Sequence, residues 1–263
     1  MFKSYLQKFL LISLISCEFK TFDDTGFDIF IIAGQSNTLA GSGLDTKIDT
    51  PDKDIFQLGR FSIFDFMISQ ANEPLQHHTA RKNKIGFGLT FAKLYKNHKK
   101  KAKPILLIPC GFGGASLKKE WKISEFLYED LIERVNFVKQ KHPKSIVKAI
   151  LWHQGESDTG LTNYDILLDK FINSIRKDLN SERLPFIVGG MVPFWVGQNE
   201  LRKIQQEFIK NTPLRQKYTA YADPDFPFVI KKENDLIDEI HYNAKGQREL
   251  GKRYFSAYLS ITE

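Results

Sequence analysis

Apolar residues gather along this chain into short continuous runs rather than alternating strictly with polar ones. The runs lie at 27–33 (FDIFIIA), 54–58 (DIFQL), 105–109 (ILLIP), 147–152 (VKAILW) and 185–190 (PFIVGG), with a weaker one at 218–222 (YTAYA). Amphipathic stretches with helical spacing, at 87–98, 124–141, 163–179 and 198–210, separate most of them. Strands apolar on both faces that alternate with helices belong to a parallel sheet covered on both sides, so the class is α/β. After the last run, Asn243 suits an N-cap and Leu250, Tyr254 and Tyr258 recur at helical spacing, which predicts a closing helix.

Ligands of open parallel sheets bind at the carboxyl ends of the strands. Polar or glycine-rich clusters follow three of the predicted strands: GQSN (34–37), CGFGGAS (110–116) and WHQGESD (152–158). A fourth, DEIH (238–241), precedes the closing helix. The topology brings all four to one edge.

The chain has 263 residues, 42% of them hydrophobic and 26% charged, which suits one globular domain; no repeat or low-complexity linker divides it. The formal charge of +7 comes mostly from lysines such as those in KNHKKKAK (96–103). These fall where a helix gives way to a strand and read as a solvated face, not a nucleic-acid surface. At the N-terminus, Lys3 and Lys8 precede an apolar run from Phe9 to Ile15, with Ser16 and Cys17 after it. That run is too short to span a bilayer and reads as an export signal over residues 1–17, followed by a domain over 18–263. The small residue before Cys17 resembles a bacterial lipobox, which would put a lipid anchor on Cys17; an ordinary cleaved signal peptide is the alternative. The expected location is exported, periplasmic or at the cell surface. Cys110, the other cysteine, sits in an apolar run and is expected to be buried and unpaired.

A lone serine, Ser36, leaves the first strand between Gln35 and Asn37. A hydroxyl becomes a nucleophile when a base removes its proton, and that base needs a third group to orient it. Asp238 and His241, three residues apart, offer both. Acyl transfer also needs donors for an oxyanion. The backbone N–H groups of Gly113 and Gly114 and the side-chain amide of Gln154 are candidates; a tight turn and a buried structural amide are the alternatives. Trp121 and Trp195 are of a kind that stacks on a sugar face or fills a core, and both readings stay open. His77 and His78, with Arg81, Lys82 and Lys84, lack an acid at ligand spacing, so a solvated loop is expected there and no metal site.

In the order AGQSN (33–37), EPLQ (73–76), IGFGLTFA (85–92), GFGGASLKKEW (111–121), WHQGESD (152–158) and DEIHYNAKGQRELGKRYF (238–255), the chain resembles an SGNH hydrolase. Within that superfamily it is similar to the sialate O-acetylesterase-like group, including carbohydrate esterase family 6. The resemblance implies a doubly wound, flavodoxin-like, mainly parallel sheet. It implies Ser36 as nucleophile, His241 as base and Asp238 as its orienter, with Ser36, a glycine of 111–114 and Gln154 around the oxyanion. Gln35, Asn37, Trp121 and Trp195 are then the candidate substrate contacts. The implied activity is cofactor-free removal of O-acetyl groups from sialic acid or a polysaccharide. A carbohydrate-binding protein without turnover and a broad arylesterase are the rivals. The GxSxG elbow of lipase-type hydrolases is absent. Phe87 and His153 depart from the group's usual Pro and aromatic. Glu156 competes with Asp238 as third member, and its expected part is to brace the loop.

Overall fold

The computed structural model describes residues 25–79, 82–99, 103–232 and 238–263. The expected export signal, Cys17 and Arg81 therefore lie outside the described residues. Along the chain come β1 (Asp28–Gly34), a 3-10 turn (Ser36–Thr38), β2 (Gly41–Ser42), β3 (Ile55–Leu58), β4 (Ile68–Gln70), β5 (Lys84–Ile85) and α1 (Gly88–His98). They are followed by β6 (Ile105–Pro109), α2 (Phe126–Lys141), β7 (Ile146–His153), α3 (Tyr164–Asp178), β8 (Phe186–Gly189) and α4 (Pro193–Gly197). The chain closes with α5 (Glu200–Lys210), α6 (Thr212–Arg215), β9 (Thr219–Ala222) and α7 (Ala244–Thr262).

Seven of the described strands form one sheet in the order β4-β3-β6-β1-β7-β8-β9. Every neighbouring pair is parallel except β3 and β4. The antiparallel edge strand β4 escapes the sequence pattern because its three residues are half-buried or exposed and form no apolar run. β1 lies between β6 and β7, a variant of the flavodoxin-like order, in which the first strand sits between the second and third. From β1 the chain winds outward to β3, returns to β6, then crosses β1 to reach β7. That reversal opens a crevice at the carboxyl ends of β6, β1 and β7.

Both faces of the sheet are buried, as the continuous apolar strands require. On one face Phe30 of β1 packs edge-on against Phe91 and Tyr95 of α1, with ring centroids 4.9 and 4.7 Å away, and against Tyr258 of α7 at 5.8 Å. On the other, Trp152 of β7 meets Phe171 of α3 at 4.7 Å and Trp121 at 5.1 Å. His153, one residue on, turns back to the first face, with Nδ1 3.2 Å from the Tyr254 hydroxyl of α7. Burying each such aromatic contributes about 1.5–3 kcal/mol, so these two layers fix the strand ends rigidly. Asn243 caps α7 as expected, its side chain accepting from Gly246 N at 2.9 Å.

Candidate active site

The site begins with a glycine. Gly34, the last residue of β1, has φ +126°, and a Cβ there would lie 2.0 Å from the carbonyl oxygen of His153. Only glycine lets the chain leave β1 so tightly against β7. Gln35 N donates to that same carbonyl at 2.8 Å, and the 3-10 turn that follows presents Ser36.

Ser36 Oγ lies 2.8 Å from Nε2 of His241. The other ring nitrogen, Nδ1, is 2.8 and 2.9 Å from the two carboxylate oxygens of Asp238, and His241 N donates to Asp238 Oδ1 at 3.2 Å. Burial works to raise the Asp238 carboxyl, but the His241 hydrogen bond, with the charges of His241 and Lys232, more than reverses this and holds it below the usual carboxylate range. The three residues thus form a hydroxyl–imidazole–carboxylate chain, the arrangement that activates a serine.

A second set of bonds fixes the two halves of that chain together. Asn37 Nδ2 donates to Glu156 Oε1 at 2.6 Å and to Ile240 O at 2.9 Å, while its Oδ1 accepts from Tyr242 N at 3.0 Å. Asn37 is fully buried, so its side chain braces the His241 segment instead of meeting a substrate. Glu156 faces Asn37 and His153, not His241; burial pushes its carboxyl up, and those two neighbours bring it below its usual value. Its place as a loop brace agrees with the sequence reading.

Several candidate contacts stand elsewhere than the sequence suggests. The Gln154 side chain is wholly buried: Nε2 donates to Asp158 Oδ2 at 2.7 Å, with Gln35 Oε1 and Ala115 O each at 3.2 Å, and Oε1 accepts from the Tyr164 hydroxyl at 2.8 Å. Its two amide hydrogens are engaged, so it has none left for an oxyanion. Gln35 is likewise turned inward, its Oε1 also accepting from Ser157 N. Trp121 is fully buried and donates through Nε1 to Gly34 O at 3.0 Å; Trp195 is buried beneath the Arg202 guanidinium, 4.1 Å from its ring. Neither offers a face to a sugar. Gly113 N is taken by Thr79 Oγ1 at 2.9 Å. Ser36 N and Gly114 N donate to no other group among the described residues.

The histidine pair is also corrected. His77 is buried, not solvated, and its Nδ1 accepts from Gly111 N at 2.9 Å; burial, with Arg60 and His78 nearby, pushes its pKa down to about 3. His78 N donates to Gly111 O and its ring meets Asp130 at 3.1 Å. Residues 77–79 therefore run beside the 111–113 loop and hold it against β1, where Phe112 N also reaches Gly34 O at 3.1 Å. Asp158 entered the sequence reading only as the last residue of WHQGESD, with no role of its own, and Thr79 not at all, because a single Asp or Thr in a loop has no periodicity. Cys110 is buried and free, its thiol pushed up to about 12 by burial. Among the described residues no group of three or more His, Cys, Asp or Glu side chains is placed to hold a metal ion.

A sequence model of the family described as carbohydrate esterase, sialic acid-specific acetylesterase matches residues 26–260. A probable carbohydrate esterase of Arabidopsis thaliana is 29% identical over 254 residues, 88% of this chain and 90% of that protein. The X-ray structure of that protein superimposes with a TM-score of 0.73 at 27% identity, covering 89% of this chain and 98% of the other. The crystal structure of NanS shares the fold with a TM-score of 0.76 at 17% identity, covering 90% and 97%. A carbohydrate acetylesterase from Xanthomonas citri does so with 0.65 at 18%, covering 89% of this chain and 56% of that one.

Proposed function

We propose that this chain, which belongs to the carbohydrate esterase family of sialic acid-specific acetylesterases, removes O-acetyl groups from a carbohydrate through an acetyl-enzyme on Ser36. The observation that carries this reading is the unbroken chain from Ser36 Oγ through His241 to Asp238. His241 Nε2 takes the Ser36 proton as Oγ attacks the acetyl carbonyl. The resulting oxyanion meets the N–H groups of Ser36 and Gly114, which have no acceptor among the described residues. Collapse of the tetrahedral intermediate expels the sugar hydroxyl, which takes its proton from His241. Water, deprotonated by the same imidazole, then releases acetate and restores Ser36.

A polar groove of about 390 Å³ opens beside Gly114 and Ser157 and is also lined by Lys118, Lys119 and Thr159. It has room for a sugar next to the proposed oxyanion donor. Acetylated sialic acid, named in the family's description, is the first substrate to try, and an acetylated polysaccharide the second. The apolar run Phe9–Ile15 just ahead of Cys17 supports export, with a lipid on Cys17 as the anchor.

Acetate release from O-acetylated sialic acid, from acetylated xylan and from para-nitrophenyl esters of increasing acyl length tests the reading. Ser36→Ala should release none while keeping its fold, and a serine-directed phosphonate should label Ser36 alone. Preference for long acyl chains would move the reading to an arylesterase. Sugar binding without acetate release would leave a binding protein.

A further inference from the structure

Lys232 is a charged side chain that the reaction just described does not use. Its side chain is only 5% exposed, and Nζ is buried with no hydrogen-bond acceptor among the described residues. Its ion-pair partner among the described residues is Asp238, with Oδ1 3.6 Å away. A buried ammonium that makes no hydrogen bond is costly to keep, and it ties down little of the fold. What it does supply is a field at the carboxylate that orients His241.

We propose that Lys232 is a positioning residue for the Ser36 reaction: its ammonium balances the Asp238 carboxylate, so that His241 stays able to accept the Ser36 proton at lower pH. This rests on the esterase reading above. Lys232 Nζ is 3.6 Å from Asp238 Oδ1, which is 2.8 Å from His241 Nδ1, so the ammonium stands at most about 6.4 Å from the imidazole. Asp238 alone would favour the imidazolium; a positive charge at that range opposes it. Among the described residues, the other charged or titratable groups around the segment are Lys231 and Glu239 beside it, and Glu156 with His153, which reach it through Asn37. They are common to parent and variants, so a comparison isolates Lys232.

The experiment is kcat/KM against pH for an acetyl ester, with parent, Lys232→Met and Lys232→Arg. The acid limb of Lys232→Met should have its midpoint about one to two pH units higher, and Lys232→Arg should return it close to the parent. A midpoint that stays put, with activity lowered equally at every pH, overturns the proposal. Should Lys232→Met not fold, Lys232→Gln carries the same comparison. NMR titration of the His241 ring protons, in a Ser36→Ala background with and without the lysine substitution, reads the coupling without turnover. An inactive parent sinks the esterase reading, whereas an unmoved NMR midpoint sinks the role of Lys232 alone.

Discussion

Asn37 Nδ2 donates to Glu156 Oε1 across 2.6 Å, and the same amide reaches Ile240 O. One buried side chain, next to the proposed nucleophile, thereby joins the turn after β7 to the segment that carries His241. Asn37→Ala removes both donations and leaves the Glu156 charge buried with one donor fewer. Stability should fall by about 2–4 kcal/mol, and kcat with it as the His241 segment loosens. Glu156→Gln, which can still accept from Asn37, should cost less. Denaturant unfolding together with kcat checks this; an Asn37→Ala protein as stable as the parent would remove the clamp from the account.

Gln154→Ala should behave as the loss of a brace. It strips a donor from Asp158 Oδ2 and a partner from the Tyr164 hydroxyl, both buried. The expected result is a lower melting temperature, from a loss of about 2–4 kcal/mol, with activity falling in step. Parent-like melting with a 100- to 1,000-fold drop in kcat, on the order expected of an oxyanion donor, would return Gln154 to the oxyanion.

Glu73 predicts a pH-dependent stability. Burial pushes its carboxyl up to about 8, and Asp49 adds to the effect. The folded chain therefore holds a proton that the unfolded chain releases near 4.5. Its contribution is intact below about 4.5, and stability declines as pH rises to about 8. Glu73→Gln should leave melting at pH 4 nearly unchanged. At pH 8 to 9 it should raise stability by on the order of a few kcal/mol. Thermal melts of both proteins across that range decide it, and an equal effect at both ends would count against a protonated Glu73.

If Cys17 is the lipidated start of the mature protein, intact mass from an expressing bacterial cell should show cleavage before it and added acyl chains. The protein should then partition with membranes, and Cys17→Ser should release it to the soluble fraction, because several acyl chains are needed for stable anchoring. A soluble parent that starts elsewhere would refute the anchor.

Much of this molecule follows from order along the chain. The continuous apolar runs required a sheet buried on both faces, and β1, β3, β6, β7, β8 and β9 lie on them. Asn243 and the spacing of Leu250, Tyr254 and Tyr258 marked α7. Ser36 could be placed at a strand end, and Asp238 tied to His241, because strand periodicity and a three-residue separation are local properties. The allocation of hydrogen bonds was not local. An amide hydrogen serves mainly one acceptor, and whether Gln154 turns to an oxyanion or to Asp158 depends on Tyr164, Ala115 and Gln35, brought in by other segments. The same holds for Gly113, whose N–H is claimed by Thr79, and for Trp121, enclosed by Trp152 and Phe171. Lys232 looks like any surface lysine in the sequence. Only packing removes its ammonium from water and sets it beside Asp238, because burial is a property of the whole fold and not of the residue.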